Sequence, residues 1–289
     1  MSEITVNALG KLNLGLDVVG TLPNGYHRVD MVMQTVKLAD TLTIATREDS
    51  EIHITCTKDF VPVDESNLAY KAVLLLRRHF PGRVGGVDIH IKKMIPVAAG
   101  MAGGSSDAAA VVYGLNELFS LGMKKNFMMQ ISLELGADVP FCLFRGTARS
   151  TGIGERLERL PAIPQMRFLI TKPPVSVSTA ECYAAFDKVS DVIHPDMDAL
   201  VNAISSGDMD GILSNMGNVL ESVTAKKYPV IEEIKSVMRE CGARNAVMTG
   251  SGPTVFGVFM PGDDIDKAYG EIGKRGLSKG LYTCGPYLI

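Results

Sequence analysis

Tryptophan is missing from this 289-residue chain, and aromatic residues together make up only 6% of it. The core must therefore be aliphatic and methionine-rich, and a hydrophobic content of 46% supplies ample material for one. Cysteine is scarce as well. Cys56, Cys142, Cys182, Cys241 and Cys284 are odd in number and scattered, with no Cys-x-x-Cys pair among them. That excludes a disulfide framework and gives no zinc-site spacing, so reduced, mostly buried thiols are expected. Neither sign of charge dominates: a formal net charge of −3 with no basic stripe argues against nucleic acid as a partner. No apolar run is long enough to cross a bilayer. The opening MSEITVNALG also lacks the basic-then-apolar order of a secretion signal. The expectation is a cytoplasmic globular protein with no membrane partner.

What is present is a mixture of two periodicities. EITVNA and KLNLGLDVVG alternate apolar and other residues with the period of strands, as do DTLTIAT, EIHITCT and VDIHIKK. Asn24-Gly25 is a strong hairpin-turn signal. SNLAYKAVLLLRRHF reads as a helix capped by Ser66, and a second helix over about 127–135 ends at Gly136, read as a left-handed cap. ADVP then leads into FCLFRG, read as a strand. Past about residue 160 the pattern restarts with MRFLIT, a helix capped by Ser178, and Met-rich helices over 196–239. A strand–turn–strand, NAVMTGSGPTVFGVF, a helix over about 264–274 and a last strand in LYTCGPY follow. The fold class is α+β in two halves, 1–158 and 159–289, with a cleft expected between them.

The most loaded segment is IPVAAGMAGGSSDAAA, residues 95–110, where a strand-like run gives way to glycines, two serines and an apolar-periodic helix. Glycine lets a backbone approach a ligand closely, and the unpaired N–H groups of a helix start favour an anion. Phosphate is the natural occupant. Two familiar phosphate loops are absent: no lysine ends the glycine run, and Gly100, Gly103 and Gly104 have the wrong spacing for Gly-x-Gly-x-x-Gly. A tight strand-to-helix turn with Ser105 or Ser106 as cap is the plainer alternative. Elsewhere, Asp138 lies in a rigid loop between Gly136 and Pro140, and Lys11 shares a strand face with Asn13 and Gly15. A buried lysine is costly alone, so Lys11 is either at the surface or paired.

PVAAGMAGGSSDAAA resembles the phosphate-binding motif of the GHMP small-molecule kinases, the family of galactokinase, homoserine kinase and mevalonate kinase. Its glycine pair before the serines, with GKLNLGLDVVG, NGYH and LGADVPFCL in the same order, is similar to one branch that acts on a polyol bearing cytidine diphosphate. TGSGPTVFGVF resembles the family's third motif. Gly10 and Ala102 depart from the branch's usual alanine and glycine.

The resemblance implies a ribosomal protein S5 domain 2-like N-terminal domain that binds ATP and a ferredoxin-like C-terminal domain. It implies ATP-dependent phosphorylation of a substrate 2-hydroxyl in non-mevalonate isoprenoid precursor synthesis. Asp138 would accept the hydroxyl proton, Lys11 would lower the basicity of Asp138 and neutralise charge, and Asn13 would hold the polyol. Tyr26, His27 and Tyr183 would hold cytosine. The triphosphate would lie along Pro96, Val97, Ala98, Ala99, Gly100, Met101, Ala102, Gly103, Gly104, Ser105 and Ser106. Asn67 and Lys93 would contact adenine or its sugar. Mg²⁺ is required by the charge on ATP; Ser105 or Ser106 could bind it, but no carboxylate cage is evident, so phosphates and water would hold most of it. Asp107 reads as a structural acid at a helix start, where it favours the dipole and repels phosphate. Monomer and homodimer both fit.

Overall fold

The computed structural model describes residues 2–23 and 25–289; Asn24, on which the turn expectation falls, lies outside them. Two long strands open the chain, β1 (Glu3–Thr21) and β2 (His27–Arg47). Each absorbs stretches that sequence alternation reads as separate or shorter. The cause is burial on both faces: every residue over 10–18 of β1 is buried, so polar and apolar residues no longer sort by face.

The next elements are β3 (Ile52–Cys56), α1 (Leu68–His79), β4 (Gly86–Lys92), α2 (Gly103–Leu118), α3 (Lys125–Ser132) and α4 (Val139–Phe144). Then come β5 (Thr147–Gly152), β6 (Arg156–Arg159), β7 (Arg167–Lys172), α5 (Thr179–Phe186), α6 (Met197–Ser206), α7 (Met209–Asn215) and β8 (Gly217–Asn218). The chain ends through α8 (Glu221–Lys227), α9 (Val230–Glu240), β9 (Asn245–Met248), β10 (Val255–Phe259), α10 (Ile265–Lys274) and β11 (Gly280–Cys284).

The residues group into two compact units, neither continuous in sequence. The first takes the chain up to Gly10, Leu38–Val97 and Ala102–Phe144. There β4 pairs antiparallel with the second half of β2 and parallel with β3. Val87, Ile89 and Ile91 of β4 turn one face toward Ala72, Val73 and Leu76 of α1 and Ala108, Val111 and Leu115 of α2, and this is the unit's core. The second unit takes Lys11–Lys37, Ala98–Met101 and Arg145–Ile289. There the first half of β2 pairs with β5, β5 with β6, and β1 with β8 at Gly15 and Leu16. A separate antiparallel sheet runs β11-β7-β10-β9. With α9 between β7 and β9 and α10 between β10 and β11, its connectivity is that of a ferredoxin-like split β-α-β.

Four local readings need correction. The cap of α1 is Asn67, whose Oδ1 accepts from Ala69 N at 2.8 Å, because Ser66 turns its hydroxyl to Asp64 instead. FCLFRG is not a strand: α4 takes its first four residues, with Pro140 in the first turn, where its missing N–H costs nothing. All of residues 139–143 are buried, so period carries no information there. Helix α2 starts at Gly103, ahead of both serines, so neither Ser105 nor Ser106 is its cap. Gly136, at φ +152° and ψ +155°, is outside the left-handed helical region, though still in backbone space that favours glycine.

Candidate active site

Within residues 95–106 positive φ falls on Ala98 (51°), Gly100 (70°) and Ala102 (56°), each separated by one residue from the next. Alternation of hand along a backbone turns successive N–H groups toward one side, a concavity that suits an anion. The loop runs directly into α2, a 16-residue helix whose cap position, Ala102, makes no side-chain bond to the first turn. No acidic residue lies in that first turn. The N–H groups of the helix start are thus left for a ligand, with the dipole favouring negative charge. The two serines differ. Ser106 is buried and donates its hydroxyl proton to the Leu9 carbonyl at 2.6 Å, whereas Ser105 is half-exposed.

In the second unit, residues from three stretches far apart in sequence converge. Gly100 lies so close to Thr249 that a Cβ there would stand 2.3 Å from the Thr249 carbonyl oxygen. The Thr249 hydroxyl accepts from Asn13 N at 3.0 Å, and its one proton faces Asn13 Oδ1 at 3.3 Å and Gly100 O at 3.4 Å. Lys11 donates its Nζ to the same Asn13 Oδ1 at 2.7 Å, and its backbone N–H to Met101 O at 3.2 Å. Lys11 is 5% exposed and Asn13 0%. Lys11 is therefore buried and paired, but with a neutral amide; among the described residues of its unit no carboxylate forms an ion pair with it. A buried ammonium so placed favours an incoming anion. Asn218 holds the turn after β9 by donating to Met248 O and Gly250 O.

The same unit brings His27 and Tyr183 together, with ring centroids 4.7 Å apart and planes tilted by 36°. His27 Nε2 lies 2.7 Å from Asp187 Oδ1. Tyr26, next to His27 in sequence, is 61% exposed.

In the first unit Lys93 is buried between two carboxylates, Asp40 at 2.6 Å and Asp107 at 2.5 Å. Asp40 has further donors, the backbone N–H groups of Met94 and Ile95, while Asp107 Oδ1 is buried with no partner among the described residues. Burial pulls the Lys93 ammonium down, but the carboxylates of Asp107 and Asp40 more than offset it and its pKa is raised. Asp107 is pushed up to about 7 by burial, against the pull of Lys93 and with Asp40 adding repulsion. Lys93 thus spends its donors on carboxylates of β2 and α2, and Asp40 in turn holds the segment that leads into the glycine loop. Asn67 likewise spends its amide on capping α1 and on Pro62 O at 2.6 Å. Asp138 is half-buried at the mouth of α4, its carbonyl accepting from Cys142 N.

Sequence reasoning missed Thr249, Asp187 and Asp40. Thr249 falls inside the quoted TGSGP run, so a signal existed. Asp187 and Asp40 carry none, because each gains its meaning only from a residue distant in sequence.

A loop of alternating hand feeding a helix start, and a buried lysine facing an amide, are features that suit an anion such as phosphate. Comparison with known proteins gives the chain's class. The family models described as GHMP kinases N terminal domain and GHMP kinases C terminal match residues 67–146 and 197–277. A 4-diphosphocytidyl-2-C-methyl-D-erythritol kinase of Lachnospira eligens is 48% identical, the match covering 98% of both chains. One of the same name from Lachnoclostridium phytofermentans is 46% identical over 99% of this chain and 95% of its own. A crystal structure of 4-(cytidine 5'-diphospho)-2C-methyl-D-erythritol kinase superposes with a TM-score of 0.80 at 30% identity, covering 98% of this chain and 99% of its own. A homoserine kinase from Cytophaga hutchinsonii shares the fold at a TM-score of 0.77 and 20% identity, over 100% and 95% of the two chains. The chain belongs to the GHMP kinases and, within them, to the 4-diphosphocytidyl-2-C-methyl-D-erythritol kinase family. The expected two-domain α+β fold of that family is the one found.

Proposed function

We propose that the chain transfers the γ-phosphoryl group of ATP to the 2-hydroxyl of 4-diphosphocytidyl-2-C-methyl-D-erythritol, a step of non-mevalonate isoprenoid precursor synthesis. The observation that carries the reading is the alternating-hand loop ending at the uncapped start of α2, in a chain 48% identical over nearly its full length to a kinase of that name.

Phosphoryl transfer asks a protein chiefly to align two reactants and neutralise charge. The β- and γ-phosphates lie against the N–H groups of residues 98–104, with Ser105 beside them. The substrate 2-hydroxyl oxygen attacks the γ-phosphorus in line with the departing ADP oxygen. Its proton passes to the Asp138 carboxylate, while the Lys11 ammonium offsets the charge spread over the transferred group. Asn13, fixed by Thr249 and Lys11, holds the polyol. Tyr26, His27 and Tyr183 take the cytosine ring. Lys93 and Asn67 shape the nucleotide side, the first by anchoring the strand end that enters the loop and the second by starting α1.

Mg²⁺ accompanies ATP and neutralises its phosphates. Ser105, half-exposed in the first turn of α2, is the protein oxygen that would face such an ion, with phosphates and water supplying the rest. The two family models fall on either side of residue 158, which supports 1–158 as the ATP-binding part and 159–289 as the second.

The test is ADP release by the purified protein with ATP and Mg²⁺, offering the cytidyl substrate, homoserine or mevalonate as acceptor. Turnover is expected with the first alone. Asp138→Asn is expected to lower turnover by roughly 10²- to 10⁴-fold, the usual worth of a positioned base, with nucleotide affinity kept. Unchanged turnover in that variant would remove the base assignment.

A further inference from the structure

The contact between His27 and Asp187 is not used by the reaction as derived above. His27 opens β2, and its side chain is 10% exposed. Asp187 is the residue that ends α5, and its N–H bonds back to the Tyr183 carbonyl at 3.0 Å. One helix end therefore sets both neighbours of the His27 ring: the phenol stacked at 4.7 Å and the carboxylate 2.7 Å from Nε2.

An ionised carboxylate can only accept a hydrogen bond, so His27 Nε2 must carry the hydrogen. In a neutral imidazole the second nitrogen is then bare and acts as an acceptor. A carboxylate fixing one ring nitrogen to decide what the other can do is the arrangement by which metal-bound histidines are tuned, applied here without a metal. The base edge of cytosine offers an exocyclic amine, a donor; uracil has a carbonyl, an acceptor, at the same place.

We propose that Asp187 is a specificity-determining positioning residue: it holds His27 as the Nε2–H tautomer, so that Nδ1 accepts from an amine-bearing pyrimidine and rejects a carbonyl-bearing one. The inference rests on the reading of His27 as the residue that meets the base. Asp187 itself touches no reacting atom. Two acceptors facing each other leave both unpaired, and a site built around a hydrogen bond rejects the analogue that cannot make it far more strongly than an apolar pocket rejects a wrong size.

The experiment compares kcat/KM for the cytidine substrate and its uridine counterpart, at an alkaline pH that keeps imidazole neutral, in the wild type and in Asp187→Ala and Asp187→Glu. The wild type is expected to favour cytidine at least about a hundredfold. In Asp187→Ala the ratio should collapse by at least about tenfold, through loss on the cytidine substrate alone, and Asp187→Glu should restore part of it. A ¹⁵N spectrum of the wild-type imidazoles should show His27 protonated on Nε2 and bare on Nδ1.

If the wild type does not distinguish the two bases, the reading of His27 fails and takes this proposal with it. Clear discrimination in the wild type that survives intact in Asp187→Ala leaves that reading standing and overturns the role of Asp187. So does an equal loss on both substrates, or a His27 ring protonated on Nδ1 in the wild type.

Discussion

A methyl group on Gly100 would stand 2.3 Å from the Thr249 carbonyl oxygen, at a backbone φ of +70°. Gly100→Ala therefore combines left-handed strain of about 1–2 kcal/mol with a collision against backbone that cannot swing aside. Gly122 is the natural control, since its φ is +73° but nothing lies within 4 Å of its absent Cβ. Denaturant unfolding should show Gly122→Ala losing only the strain of about 1–2 kcal/mol, and Gly100→Ala clearly more. Equal losses would mean that the loop does not press on Thr249. The sequence marked that glycine run as a candidate phosphate loop. The partner that makes Gly100 obligatory was not legible, because Thr249 lies 149 residues away and nothing local in TGSGP says which backbone it will meet. Ala98 and Ala102 show the converse: both adopt φ above +50° without being glycine, a conformation no composition rule would assign to alanine.

Between elements, Lys93 makes a buried polar tie in the first unit, joining Asp40 of β2 to Asp107 of α2. Two buried carboxylates share one ammonium, and Asp107 is the one left with an unpartnered oxygen. With Asp107 raised to about 7, the folded chain holds that proton well above the pH at which the unfolded chain releases it. Its contribution to stability is thus full below the ordinary carboxylate range, about pH 4, and is lost as pH rises toward about 7. Asp107→Asn removes the titration. The difference in Tm between this variant and the wild type should grow in the variant's favour from pH 5 to pH 8; a difference that stays constant with pH would contradict the raised carboxyl. The sequence marked Asp107 as a structural acid at a helix start; the partner found is a buried lysine, and Asp107 lies beyond the first turn of α2. The misreading of α4 has a similar root: an element buried all round shows no period.

At the scale of the whole molecule, the chain passes between the two units several times, because β1 and β2 each lend one half to each. One family model ends at residue 146 and the other begins at residue 197, yet the compact units follow no single division between them. A fragment of residues 1–158 would keep Leu12, Leu14 and Leu16 of β1, all at most 2% exposed in the full chain, while losing β8 and everything that follows it. It is expected to show no cooperative thermal transition and a poorly dispersed amide spectrum; a well-folded fragment would mean that the first half of the chain suffices for its own core. The contact between Asn13 and Thr249 spans 236 residues. During synthesis, then, Lys11, Asn13 and the glycine loop leave the ribosome long before the residue that braces them exists. Until the segment around β9 has emerged, the nascent chain holds the glycine loop without its support.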